Sequence, residues 1–202
     1  MHPNPAFRHD DRKLLEALIE EIGFGMVFAA TPDGPRVAHT PLLLARNGTL
    51  QFHLARGNAL TKHVNGTTAL AVVNGPDGYV SPRWYADPAQ VPTWNYVSLE
   101  LEGPVQRLDA TGLLALVEGL SERHEDRVTG GVPWLMSKLP EGKLRGLLAG
   151  IVGFELEVQA WRPTFKLSQN KSAEERESVA AGLEAQGSPA IAQLMRTLGN
   201  AA

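Results

Sequence analysis

The sequence predicts an α+β fold that is mainly β: a small antiparallel barrel decorated with helices. Three observations predict it. At least six segments have strand length and strand periodicity, tight-turn signals join the first three of them, and the helices between the others lack the regular strand-helix-strand rhythm of a parallel sheet.

In chain order, Asp10 and Asp11 precede Leu14, Leu15, Leu18, Ile19 and Ile22 at helical spacing, and Gly23 follows as a stop. The period then changes. Phe24 to Thr31, Arg36 to Ala45 and Thr49 to Ala55 read as a meander, turned by Pro32-Asp33-Gly34 and by Asn47-Gly48. Asn-Gly favours a hairpin because both residues tolerate positive φ. A short helix is expected over 58–64, then a buried strand over 67–74, with Gly75-Pro76-Asp77-Gly78 as a turn. The proline-rich piece from Pro82 to Pro92 is expected to be irregular. From Thr93 to Leu108 the chain alternates, with Val97, Leu99 and Leu101 on one face and Ser98, Glu100 and Glu102 on the other. Helices are expected over 110–123 and 141–148, a strand over 151–161, and two tail helices over 173–185 and 189–198. Ser188 and Pro189 supply the start signals of the last one.

With 202 residues, the chain is long enough to bury a substantial core. No apolar run approaches the roughly 20 residues of a membrane span, and the first residues lack the basic and apolar regions of a signal peptide. A cytoplasmic protein with no membrane partner is the expectation. The absence of cysteine excludes disulfides and thiolate chemistry. The histidines, at 2, 9, 39, 53, 63 and 124, show no paired ligand spacing, so no metal site is expected. A net charge of -3 argues against a broad nucleic-acid face.

Three polar clusters interrupt the apolar segments. The first is Lys166-Leu167-Ser168-Gln169-Asn170-Lys171-Ser172, which holds two ammonium groups, two hydroxyls and two carboxamides without an acid. It suits an anionic ligand at a helix start; equally, Ser172 and Glu175 form a capping-box pattern. The second, His53 to Asn58, ends a strand in Arg56 and Gly57 before a helix bearing Lys62 and His63. It reads either as a phosphate cradle or as a surface arginine beside an asparagine cap. In the third, Ser81 to Tyr96 holds two of the four tryptophans and two of the three tyrosines. These suit the wall of a flat-ligand pocket or a subunit interface, or ordinary core packing under a loop.

Five ordered stretches carry a resemblance: His39-Thr40-Pro41-Leu42-Leu43-Leu44; Gly48-Thr49-Leu50 with His53 to Asn58; Gly75 to Tyr85; Val91 to Tyr96; and Lys166 to Ser172. Together, from about Pro5 to the tail, they resemble the PaiB family, FMN-binding proteins usually named negative transcriptional regulators. The resemblance implies an FMN-binding split barrel, built as a homodimer with flavin in the cleft between subunits. On this chain it implies a domain over 1–165, and a ligand loop with C-terminal helices over 166–202 packed on the same domain or on the partner subunit.

It also implies that Arg56, Asn58 and Lys62 hold the FMN phosphate. Thr40, Trp94 and Asn95, with the Lys166 to Lys171 loop including Ser168, Gln169 and Asn170, would meet the ring. His53 lies beside them as a strand-end hydrogen-bonder or proton carrier. A lysine of the loop near the N1 and C2 carbonyl region would stabilise reduced flavin. The chain departs from the family pattern at His2, Ala59 and Arg83. Arg83 would place extra charge beside the cleft.

The expected function is that of an FMN-binding protein of the PaiB type with flavin-dependent oxidoreductase or flavin reductase activity, the flavin carrying the redox chemistry. One alternative is a DNA-binding repressor acting without flavin chemistry, which the charge pattern supports poorly. The other is a split barrel holding another flat cofactor such as heme, for which His53, His63 and His124 are only generic axial candidates.

Overall fold

A computed structural model describes residues 3–87 and 89–199, so the departure noted at His2 lies outside the described residues. The elements, in order, are α1 (Arg12–Ile22), β1 (Phe24–Thr31), β2 (Gly34–Leu44), β3 (Leu50–Ala55), β4 (Thr68–Val80), β5 (Thr93–Arg107), α2 (Ala110–Glu125), α3 (Glu141–Ala149), β6 (Ile151–Leu156), β7 (Ala160–Lys166), α4 (Ala173–Ala185) and α5 (Pro189–Leu198). The seven strands follow the order β4-β1-β2-β3-β6-β5-β7, and a further β4–β5 pairing returns the order toward its start. This is the antiparallel α+β barrel architecture that the strand periodicity predicts.

The chain forms two compact units. One comprises residues 16–73 and 100–161. Its hairpin β1–β2 runs in register from Phe24↔Pro41 to Thr31↔Gly34, and the turn is fixed by the Thr31 hydroxyl donating to the Gly34 carbonyl at 2.6 Å. Gly48, at φ 83°, turns β2 into β3 where Asn-Gly predicts it. β3 pairs with β6 over six residues, Leu50↔Leu156 to Ala55↔Ile151. Directly opposed in that ladder, Phe52 and Phe154 are fully buried and stack at 5.6 Å. Such a ring pair adds about 0.5–1.5 kcal/mol beyond its area burial. Leu42, Leu50, Leu101, Val105 and Leu156 complete the core, together with Leu116 of α2. At Gly103 a side chain would collide with the Glu157 carbonyl, so only glycine permits that close strand approach.

The other unit comprises residues 1–15, 74–99 and 162–202. Its α4 and α5 bury Val179, Ala180 and Leu183 with Ile191, Ala192 and Met195. The Arg196 guanidinium grips both oxygens of Glu177 and reaches Glu184 at 3.0 Å. The Ser178 hydroxyl donates to the Trp84 carbonyl at 2.6 Å.

Three local expectations change. Gly75-Pro76-Asp77-Gly78 is not a turn but part of β4. Gly78 serves packing there, since a Cβ on it would lie 2.5 Å from Leu183 and 3.2 Å from Ile191. The strand expected over 151–161 is two strands, broken where Glu157 and Gln159 turn their backbone N–H groups to the carbonyls of Pro104 and Glu102. Ser188 precedes α5 but makes no side-chain capping bond.

Candidate functional site

In the unit that contains the tail, β7 ends at Lys166 and the chain enters the polar loop. Buried Leu167 anchors the loop, and Ser168 adopts φ 60°, a left-handed conformation that a non-glycine residue holds only when its surroundings enforce it. The Gln169 carboxamide folds back on the backbone: its oxygen accepts from Leu167 N–H at 2.8 Å and its nitrogen donates to the Phe165 carbonyl. Lys171 N–H closes the turn on the Ser168 carbonyl at 3.0 Å. Ser172 then forms a capping box with Glu175 at the start of α4. Gln169 and Ser172 therefore shape the loop, and Lys166, Ser168, Asn170 and Lys171 are left to line a cavity.

That cavity has a volume of about 270 Å³, and Tyr85, Gln90, Thr93 and Asn95 contribute further polar walls. The Lys166 ammonium donates to the Thr93 hydroxyl at 2.7 Å and to the Trp94 carbonyl. Burial pulls its pKa below the usual lysine value. The Lys171 ammonium donates to the Gln90 carboxamide oxygen at 2.6 Å and lies 5.1 Å from the Tyr85 ring centre. Burial pushes the Tyr85 phenol up, a hydrogen bond with Ser168 opposes the rise, and the charge of Glu175 adds to it.

Asn95 is fully buried. Its amide nitrogen donates to Ser168 Oγ at 2.9 Å and faces Met195 Sδ at 3.3 Å, while its carbonyl oxygen has no protein partner. A buried acceptor without a partner is costly unless a ligand or water satisfies it. Trp94 stays 54% exposed, with Tyr79 edge-on at 6.0 Å.

In the other unit, the Thr40 hydroxyl is buried and donates to the His53 carbonyl at 2.6 Å. His53 Nδ1 is buried without a partner, and desolvation lowers its pKa, which favours neutral imidazole. After β3, Arg56 turns back: its Nε donates to the Ala149 carbonyl at 2.8 Å and its Nη2 to the Ile151 carbonyl at 3.4 Å. The helix expected over 58–64 is a 3-10 turn, Ala59–Lys62, and Asn58 already accepts from Leu60 N–H at 2.9 Å. A single short turn offers little helix-end field for an anion, so guanidinium and ammonium groups carry the positive charge here. Lys62 is exposed in the last residue of that turn. Arg56 also lines a larger cavity, of about 630 Å³, with Arg107, Asp109, Arg145 and leucines of α2 and α3.

Trp94, Asn95, Lys166, Ser168, Asn170 and Lys171 thus come together in one unit, and Thr40, His53, Arg56, Asn58 and Lys62 belong to the other. Sequence reasoning missed Gln90 and Thr93, which hold the two lysines, and the arginines at 107 and 145. The lack of any acid between Lys166 and Lys171 was a usable signal for the lysine partners. Arg107 and Arg145 lie far apart in sequence and share no spacing. Among the described residues no cluster of His, Asp or Glu could hold a metal ion, and no helix is long and apolar enough to cross a membrane.

The chain matches the family described as "Putative FMN-binding domain" over residues 1–160. It is 28% identical over 180 residues to "Protease synthase and sporulation protein PAI 2" of Bacillus subtilis, covering 87% of this chain and 86% of that protein. An uncharacterized protein of Aspergillus fumigatus is 32% identical over 176 residues, covering 69% of this chain and 67% of that protein. Among solved structures, a FAD and heme binding protein from Mycobacterium smegmatis superposes with a TM-score of 0.64 at 19% identity, covering 86% of this chain and 79% of that one. The flavocytochrome Anf3 from Azotobacter vinelandii superposes at 0.55 with 15% identity, covering 81% and 74%. These structural likenesses establish the split-barrel fold; the cofactor follows from the family, and it is FMN. The chain belongs to the PaiB family of FMN-binding domains.

Proposed function

We propose that this chain is a flavin-dependent oxidoreductase that works as a homodimer, with FMN bound in the cleft between subunits. One observation carries the reading: Lys166, Lys171 and buried Asn95, whose carbonyl oxygen has no protein partner, line one cavity that no carboxylate lines. The donor set fits FMN. Lys166, Lys171 and Asn170 offer N–H donors to the ring carbonyls and Asn95 offers an acceptor to a ring N–H. Tyr85 and Val91 supply flat and apolar surface. Arg56 keeps three of its five N–H groups beyond the two bound to carbonyls, and with Lys62 it holds the phosphate.

Bound FMN supplies hydride and electron chemistry. The protein's part is to orient and to tune. Thr93 and Gln90 aim the two ammonium groups, whose positive charge favours the anionic form of whatever lies beside them. Phe7 and Val91 help exclude water from the same cavity. Dimerisation is supported by Tyr79 and Trp94, two exposed aromatic side chains in edge contact at 6.0 Å.

A direct role in DNA binding has less support. α4 and α5 carry Arg176 and Arg196 against four glutamates, and Arg196 is engaged by Glu177 and Glu184.

The experiment is an NAD(P)H oxidation assay on FMN-loaded protein with oxygen or free flavin as acceptor, run beside Arg56→Ala. Turnover that the wild type shows, with FMN affinity weakened in the variant by about 1.5–3 kcal/mol, supports the reading. No turnover with either donor removes the oxidoreductase assignment, and unchanged affinity removes Arg56 from the phosphate site.

A further inference from the structure

The cavity of about 630 Å³ behind Arg56 combines charge with an apolar wall. Arg107 stands at the end of β5, whose last residue is fixed by its backbone N–H donating to Asn65 Oδ1 at 2.7 Å. Arg145 projects from α3 and pairs with Glu141 at 3.1 Å, both side chains being largely exposed, so that pairing is weak and exchangeable. Arg56 is held in place by the Ala149 and Ile151 carbonyls. Asp109 is the one carboxylate on the wall, and its Oδ1 is engaged in capping α2 through Gly112 N–H at 2.7 Å. Leu108, Leu113, Leu148 and Val152 form the apolar side.

Three guanidiniums against one capped carboxylate on the wall leave it net positive even with Arg145 paired to Glu141. The volume lies within the range of small-molecule sites, roughly 300–1,000 Å³. Guanidinium groups match phosphate oxygens in pairs. We propose that Arg56, Arg107 and Arg145 together bind the dianion of a phosphate monoester whose organic part lies on Leu108, Leu113, Leu148 and Val152. The proposal rests on the reading of Arg56 as a phosphate ligand and adds Arg107 and Arg145, which lie outside the stretches that carry the family resemblance. The monoester has two possible sources, the FMN phosphate itself or a second phosphorylated ligand.

Calorimetric titration with inorganic phosphate and with FMN at low salt, on apoprotein and on FMN-loaded protein, tests it. The wild type is compared with the double variant Arg107→Gln, Arg145→Gln. Both side chains are exposed, so the core is untouched, and a thermal melt verifies the fold. The expected result is phosphate binding by wild-type apoprotein, weakened roughly tenfold or more in the double variant. If FMN loading blocks phosphate and the double variant also loses FMN affinity, the source is the cofactor. If loaded protein still binds phosphate, the source is a second ligand. Phosphate binding at millimolar concentration that is absent from the wild type, or unchanged in the double variant, overturns the proposal. A chain that binds phosphate through these arginines but never binds FMN would overturn the flavin reading alone.

Discussion

The Asn95 amide nitrogen donates to the Ser168 hydroxyl at 2.9 Å, and both side chains are buried. This bond joins β5 to the loop after β7 and holds Ser168 in its left-handed conformation. The same loop carries Lys166 and Lys171, so a stability contact and the lysine-lined cavity share one hinge point.

Asn95→Ala is expected to lower the unfolding free energy by about 1–3 kcal/mol, because it removes that bond and leaves the Ser168 hydroxyl buried without it. Urea denaturation monitored by tryptophan fluorescence measures the loss. A variant as stable as the wild type would show that the loop is held by other contacts.

His53 titrates below its usual value of 6.5 because burial disfavours the charged ring. Between the folded and unfolded values the unfolded chain binds more protons, so stability rises with pH there and is fully present above 6.5. It falls as the pH drops below 6.5. His53→Gln removes this component. Denaturation midpoints taken from about pH 8 down to about pH 5 are expected to fall less steeply in the variant, and equal slopes would show that His53 is not desolvated.

Lys166 behaves alike at the other end of the scale. Its folded value lies below 10.5, again through burial, so its contribution to stability rises with pH through the interval between that lowered value and 10.5. Lys166→Met, tested by denaturation across alkaline pH, is expected to lose that rise. A rise retained in the variant would assign it to another group.

Gly78→Ala drives a methyl group to 2.5 Å from Leu183 and 3.2 Å from Ile191 and is expected to cost about 1–3 kcal/mol. Gly146→Ala is the control. It lies within α3 with nothing within 4 Å of an added Cβ, and it is expected to stabilise by about 0.5–1 kcal/mol. Thermal melts of the two variants should therefore move in opposite directions, and a shared direction would contradict the packing at Gly78.

Much of this fold was legible because each hairpin and helix has a local signature. Gly48 turns where its positive φ demands, Ser172 with Glu175 caps α4, and the alternation from Val97 to Glu102 matches buried and half-buried positions. Gly75 to Gly78 misled because two glycines and a proline usually mark a turn, whereas here glycine is selected by helices that pack more than a hundred residues later in the chain. The concentration of polar groups in the lysine loop, four of whose residues line a cavity, was legible from its composition. The Gln90 and Thr93 side chains that aim its ammonium groups were not, since their contacts depend on tertiary pairing. The same holds for Arg107 and Arg145, which join Arg56 on the wall of the larger cavity only in the folded chain.

Titration of the purified chain with FMN, followed by absorbance and flavin fluorescence after gel filtration, tests the central claim most directly. Retention of one yellow FMN per chain, with a dissociation constant of about a micromolar or tighter, is the predicted result. A chain that stays colourless after reconstitution at that concentration would contradict it.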